Sequence, residues 1–339
     1  MRRVLVVRLD GAGDVLLAGP AVRAVAATAR VTLLVGPAGA EAARLLPGVD
    51  EVLIWSCPWI AADPPPVDRG GLDDLVDTLA AAGFAEAVVL TSFHQSPLPT
   101  ALVLRMAGIP RITGASVDYP GSLLDVRLRP GETLSEDQPE PERMVAIAGR
   151  PLPAGDDGGL AVRAAEWAGP AVDVVVHPGA AVPARRWPAR HAAEAVRLLA
   201  AQGLCTAVTG SADERARTAA VAGDHALDLG GRTSLAELAG VIAGASAIVV
   251  GNTAAAHLAA AVGTPVVSLF APVVPAVRWR PYRVPHVLLG DQAAPCRDSR
   301  ARECPVPGHP CLTSVTPADV VAAVGAVGAL ARSGREVPV

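Results

Sequence analysis

The spacing of apolar residues changes along this chain, and the changes divide it into elements. Short unbroken apolar runs stand at 4–9 (VLVVRL), 31–36 (VTLLVG), 51–55 (EVLIW) and 86–93 (EAVVLTSF). Runs of that length without alternation read as strands buried on both faces of a parallel sheet. Between them, segments 15–27, 37–46, 72–83 and 98–108 repeat apolar residues every three or four positions, the period of a helix packed on a sheet. Strand and helix in alternation predict an α/β fold built on a doubly wound parallel sheet.

From about 116 to 168 the pattern decays. Pro, Gly and acidic residues accumulate in RPGETLSEDQPEPER and GRPLPAGDDGG, which reads as a domain junction with one short helix near Met144. The alternation then restarts. Strands are expected at 172–179, 205–210, 227–229, 247–253 and 265–270, and helices at 189–202, 212–222, 234–243 and 254–262. Thr316 before Pro317 is a good helix start, so the tail is a closing helix. The expected organisation is a first Rossmann-like domain over 1–165, a second over 166–315, and a helix over 316–339. Ligand loops at the carboxyl ends of both sets of strands should border a cleft between the halves.

Composition narrows the function classes. The 339 residues carry a net charge of −4 and 3% aromatic residues, and every basic residue is Arg. No basic patch or base-stacking platform is visible, so no nucleic-acid partner is expected. The stretch from Leu238 to Val277 has no charged side chain, but Gly244, Gly251, Asn252, Gly263 and Pro265 cut it into pieces too short for a bilayer span. Met1-Arg2-Arg3 runs straight into a strand with no cleavage site, so the chain is expected to be cytoplasmic. Cys57 and Cys205 read as isolated buried thiols. Cys296, Cys304 and Cys311 gather around His309, which is zinc-binding chemistry, but their spacing lacks a close CxxC pair; a compact loop is the preferred reading and no metal is expected.

Three stretches carry candidate chemistry. In RLDGAGDVLLAGP, Gly11 and Gly13 suggest a tight turn between strand and helix, as in a phosphate cradle, yet Asp14 stands where the helix begins and would repel phosphate. Leu16 in place of a third glycine, and Val35-Gly36 where a ribose-binding acid belongs, argue against a dinucleotide site. In the second half, His177-Pro178-Gly179-Ala180 ends a strand, and Arg185-Arg186 follow with forked donors suited to diphosphate. In GNTAAAHLAAAVGTP, a strand runs into Asn252-Thr253 and a helix opens with His257 on its first turn, a natural anion site. No Asp-x-Asp occurs, so neutralisation of a diphosphate falls to Arg185, the helix N-terminus and His257 instead of a magnesium ion.

Together these stretches resemble glycosyltransferase family 9, the ADP-heptose lipopolysaccharide heptosyltransferases. The resemblance rests on RLDGAGDVLLAGPAVRAV, MAGIPRITG (106–114), HPGA…ARRWP (177–188), TGSADER (209–215), the run 231–270, and the cysteine-bearing tail before TPADVV. It implies a GT-B fold, with the acceptor bound mainly by the first domain, the nucleotide-sugar by the second, and the closing helix packed back on the first. Asp14 takes the place of the family's proposed general base, in an acceptor loop opened by Gly11 and Gly13. The donor would be held by Gly179, by Arg185 where the family commonly has Lys, by Glu214 near a ribose-contacting acid, and by Thr233 near the adenine. Asn252, Thr253, Ala254 and His257 match the family's Asp-Thr-Gly-x-x-His element, with two departures: Asn for Asp and Ala for Gly. The implied activity is an inverting, metal-independent transfer of a heptose or related sugar from an ADP-sugar, with no cofactor beyond that donor. The acceptor would be a lipopolysaccharide core, or a natural-product or cell-envelope glycan. A UDP-sugar-dependent GT-B enzyme and a non-catalytic nucleotide-sugar-binding homologue are the alternatives. A monomer with a peripheral membrane contact is expected.

Overall fold

The computed structural model describes residues 1–61 and 63–333. The chain forms two compact units, Met1–Ala161 and Val162–Val339. The first contains β1 (Arg3–Arg8), α1 (Ala12–Leu17), α2 (Gly19–Ala26), β2 (Arg30–Val35), α3 (Ala40–Leu45), β3 (Glu51–Ile54), α4 (Arg69–Ala82), β4 (Glu86–Val89), α5 (Leu98–Met106), β5 (Ile112–Ala115), β6 (Val126–Leu128) and α6 (Glu140–Ala148). Its six strands are all parallel, in the order β3-β2-β1-β4-β5-β6. The central strands are buried on both faces, and Leu5, Val7, Leu34, Val89, Leu79, Leu104 and Ile112 share one core.

Several expected elements take a different form. The single helix expected over 15–27 is two, because Pro20 has no N–H to give the Leu16 carbonyl; α2 restarts at Gly19. Gly11 and Gly13 do not make the expected tight turn. Gly11 is the extended N-cap of α1 at φ −75°, and Gly13 lies inside the helix. The segment read as a junction belongs largely to the first unit. It supplies β6 and α6, and α6 packs on α2. Beyond α6, Arg23 grips both oxygens of Asp156 at 2.6 and 2.8 Å and the Gly159 carbonyl at 2.7 Å, which ties the following strap to the unit. That grip holds the Asp156 carboxyl below its usual range.

The second unit contains β7 (Val174–His177), α7 (Ala189–Ala201), β8 (Thr206–Val208), α8 (Arg215–Ala222), β9 (Leu227–Asp228), α9 (Leu235–Ala243), β10 (Ala247–Gly251), α10 (Ala254–Ala261), β11 (Val266–Leu269), α11 (Ala276–Trp279), β12 (His286–Leu289), α12 (Pro310–Thr313) and α13 (Pro317–Ser333). Its parallel sheet runs β12-β11-β10-β7-β8-β9, the same winding as the first. In each sheet the winding direction reverses between the first and fourth strands, β1/β4 and β7/β10. Loops leaving the carboxyl ends there diverge and open a crevice, the usual ligand position in this topology. The uncharged run from Leu238 onward becomes α9, β10, α10 and β11, and no described helix is long and apolar enough to cross a membrane.

The closing helix is described up to Ser333 and packs on the second unit; residues 334–339 of the helix expected over 316–339 lie outside the described residues. Thr316 and Asp319 form its capping box: the Asp319 N–H donates to the Thr316 hydroxyl at 3.2 Å, and the Asp319 carboxylate accepts from the Thr316 N–H at 2.8 Å. Its described contacts are with α7 and with β10, β11 and β12 of the second unit. Val320, Ala323 and Val327 are buried there with Leu199, Val249 and Leu269. An apolar face of small residues fits closely onto this sheet, and that burial decides where the helix lies.

Candidate active site

The richest cluster lies at the carboxyl ends of the second sheet. β10 ends at Gly251, and the chain turns through Asn252 and Thr253 into α10. Thr253 is the extended N-cap, yet its side chain makes no capping bond. The Asn252 side chain is 3% exposed, and neither its amide nitrogen nor its carbonyl oxygen has a hydrogen-bond partner; nor does the Thr253 hydroxyl. Leaving a buried polar group unsatisfied costs about 1–3 kcal/mol. Two such groups side by side, at the positive end of a helix, mark a position built for something polar. Ala254 is the first residue of α10, where a helical backbone accepts Ala as readily as Gly. His257, on the first turn, is 4% exposed.

Arg185 comes to the same place from the loop after β7. Its backbone carbonyl passes so near Gly251 that a Cβ there would sit 3.0 Å away, and its Nη1 points at the backbone carbonyl oxygen of Asn252 at 3.4 Å. The absence of a side chain at Gly251 is what lets the two loops meet. Gly179 serves the neighbouring strand pair in the same way: a Cβ there would overlap the Glu214 carboxylate. Glu214 is fixed by a capping box, its Oε2 accepting from the Ser211 N–H at 3.0 Å. His177, at the end of β7, stands 3.0 Å from the Thr209 hydroxyl, and burial depresses its pKa while Glu214 opposes the shift. Thr233 follows Gly231, whose backbone packs on Ala212 and whose carbonyl accepts from Arg215 at 2.9 Å. Gly179, Arg185, Glu214, Thr233, Asn252 and Thr253 thus fall on the carboxyl-end connections of one sheet, and Ala254 and His257 on the first turn of α10 that follows.

Asp14 belongs to the first unit, at that sheet's own reversal point. It sits in the first turn of α1 with its side chain about a third exposed. Arg8, at the end of β1, is completely buried, and its Nη2 meets Asp14 Oδ1 at 2.9 Å. The same guanidinium lies 3.1 Å from Asp10 and 4.0 Å from Glu140, and it donates to the Ser92 hydroxyl at 2.9 Å. Gln95 donates to Asp10 and accepts from the Ser92 N–H at 3.0 Å, so the loops after β1 and β4 are stitched together. Burial pushes the Asp10 carboxyl up, with Arg8 pulling against it.

Motif reading did not assign Arg8, Asp10, Ser92 or Gln95. One signal was available: an arginine closing an otherwise apolar central strand must be paired, with two acids following within six residues. The cysteines yield no site. Cys57, Cys296 and Cys311 are buried and Cys304 partly so, but Cys205 is exposed, because it precedes β8 at the sheet's amino end. His309 Nε2 donates to the Ala184 carbonyl at 3.0 Å, and among the described residues no three His, Cys, Asp or Glu side chains are grouped as metal ligands.

Comparison with known proteins bears on the family and the fold. Residues 157–309 match the model of glycosyltransferase family 9 (heptosyltransferase). A stretch of 100 residues is 34% identical to lipooligosaccharide heptosyltransferase 2 of Haemophilus influenzae, covering 27% of this chain and 29% of that protein, so the match spans less than a third of the relative's length. The structure of ADP-heptose LPS heptosyltransferase II from E. coli is similar with a TM-score of 0.76 at 22% identity, over 98% of this chain and all of that one. E. coli heptosyltransferase WaaC, solved with ADP, is similar with a TM-score of 0.69 at 19% identity, over 98% of this chain and 99% of that one. The fold is that of these heptosyltransferase structures.

Proposed function

We propose that this chain, which belongs to glycosyltransferase family 9 by the match of residues 157–309, moves a heptose or closely related sugar from an ADP-sugar to an acceptor hydroxyl with inversion at the anomeric carbon. The observation that carries the reading is the buried, unsatisfied Asn252 amide beside Thr253 at the start of α10, with Arg185 at its edge. The reading gives the second unit the donor. The diphosphate takes the N–H groups of α10, the Thr253 hydroxyl and the Arg185 guanidinium; Asn252 offers both a donor and an acceptor to the sugar hydroxyls. Glu214 and Thr233 take the nucleoside side. ADP is the nucleotide in the WaaC structure, and ADP-heptose is named for heptosyltransferase II, which is why an adenine nucleotide is proposed here.

The first unit supplies the base. One Asp14 oxygen is held by Arg8, and the exposed remainder of the carboxylate is free to take a proton. As the acceptor oxygen attacks the anomeric carbon, Asp14 removes its hydrogen. The bond from that carbon to the diphosphate breaks, and ADP leaves with the electron pair. Charge grows on the leaving diphosphate, and Arg185 and the helix N-terminus receive it.

The test is a thermal-shift comparison of ADP-heptose with a UDP-sugar, followed by mass spectrometry of products. A ligand at a hundred times its Kd stabilises by about 2.7 kcal/mol. The expected result is stabilisation by ADP-heptose alone, release of ADP, and loss of the shift in Asn252→Leu. Stabilisation by the UDP-sugar alone refutes the adenine assignment, and binding without ADP release for any acceptor refutes the transferase reading.

A further inference from the structure

The charge on the first unit's ligand end bears on the acceptor, and this inference rests on the proposal that the first unit binds it. Because the sheet is parallel, every segment leaving β1 to β6 starts from the end where Asp14 stands. These segments cover 9–11, 36–39, 55–68, 90–97, 116–121 and 129–139. They contain seven carboxylates and one arginine. That arginine, Arg129, is paired with Glu132 at 3.1 Å.

The other guanidiniums reaching this end are also engaged. Arg8 is buried among its acids, and Arg143 is buried with Glu136 at 3.1 Å and the Thr91 carbonyl. Arg127 donates to the carbonyls of Ser116 and Val117, and Arg69 at the start of α4 lies 3.4 Å from Asp73. The segments do offer flat apolar surface. Trp55 and Trp59 meet edge to face with centroids 5.2 Å apart, both half-buried, with Trp59 Nε1 anchored on the Thr100 hydroxyl at 3.0 Å. Phe93 is half-buried in the segment after β4, and Tyr119 is 86% exposed after β5.

We propose that the acceptor is a neutral or amine-bearing hydroxylated molecule with an aromatic or alicyclic face, and not a polyanionic glycan. A multiply charged anion would meet like charge from the carboxylates and little uncommitted cation to offset it: Arg8, Arg129 and Arg143 are paired with acids, Arg127 is held by two backbone carbonyls, and Arg69 faces Asp73. A ring face, by contrast, finds the tryptophan pair, and an ammonium group finds both aromatic rings and carboxylates.

Matched probes separate these classes: phenyl glucoside, phenyl glucosaminide, phenyl glucuronide and methyl glucoside, which vary charge and ring independently. Binding to the full chain in the presence of ADP is followed by ligand-observed NMR, so the readout needs no turnover. The neutral and ammonium glycosides are expected to bind at least about tenfold more tightly than the glucuronide, an advantage that shrinks with salt because it is electrostatic. Methyl glucoside is expected to bind more weakly than phenyl glucoside. Trp59→Leu is expected to cut phenyl glucoside binding, and Trp59→Phe to retain it. Glucuronide binding as tight as the neutral glycoside, or no gain from the ring, overturns the inference. Failure of the transferase reading shows elsewhere, as absence of ADP-heptose binding or ADP release.

Discussion

Replacing Arg8 with methionine removes the one buried charge that Asp10, Asp14 and Glu140 share. The side chain is fully buried, and its contacts at 2.9, 3.1 and 4.0 Å are with three carboxylates on different elements. Methionine fills much of the volume without replacing the charge, so the loss is electrostatic. Breaking a buried pair by removing one partner costs about 3–5 kcal/mol, because the remaining charge is left in a poor solvent. For a unit of this size each kcal/mol moves the midpoint by about 2–4 °C, giving an expected drop of roughly 6–20 °C. The deficit carries a pH signature. The folded-state pKa of Asp10 is already raised by burial, and loss of Arg8 raises it further. A carboxyl whose folded pKa exceeds its unfolded one binds a proton more readily when folded. Stability is then retained at low pH and lost as pH rises through the folded value. Thermal unfolding of the full chain by circular dichroism at pH 5 and pH 8 reads both effects: Arg8→Met should fall further below the wild type at pH 8 than at pH 5. A variant within about 2 °C of the wild type at both values would refute the buried network as described.

Two further outcomes follow from the second sheet. Gly179→Ala places a methyl group where the Glu214 carboxylate lies, so that flexible side chain must swing aside at little cost in stability, and calorimetric titration should show weakened ADP-heptose binding. His177 has its folded pKa depressed by burial, so it stays neutral where the unfolded chain protonates. Its contribution is intact above pH 6.5 and declines as pH falls below it; urea denaturation should show that decline flatten in His177→Gln.

Much of the architecture was legible because apolar runs and helical spacing are direct consequences of burial. The central strands β1, β2, β4, β7 and β10 were visible as unbroken Val, Leu, Ile and Ala segments. β5, β6 and β12 were not, since Ile112–Ala115, Val126–Leu128 and His286–Leu289 carry at most three apolar residues in a row, too short a run to signal a strand. The closing helix shows a different limit: its apolar face states that it packs, and only three-dimensional fit states on what. At the site, the residues on strand-to-helix loops could be found from motif spacing. Arg8 with Asp10 and Asp14 just after it left a signal in the sequence, but Gln95 did not, because it lies 85 residues from the Asp10 it donates to.

The central claim is that the Asp14 carboxylate removes the acceptor proton while the donor is held elsewhere. Asp14→Asn keeps an oxygen for Arg8 and abolishes the base, so turnover of ADP-heptose and its calorimetric binding constant should be measured on the same preparation. The account predicts a turnover at least about 10²-fold lower with donor affinity unchanged. Turnover within a few-fold of the wild type would contradict it.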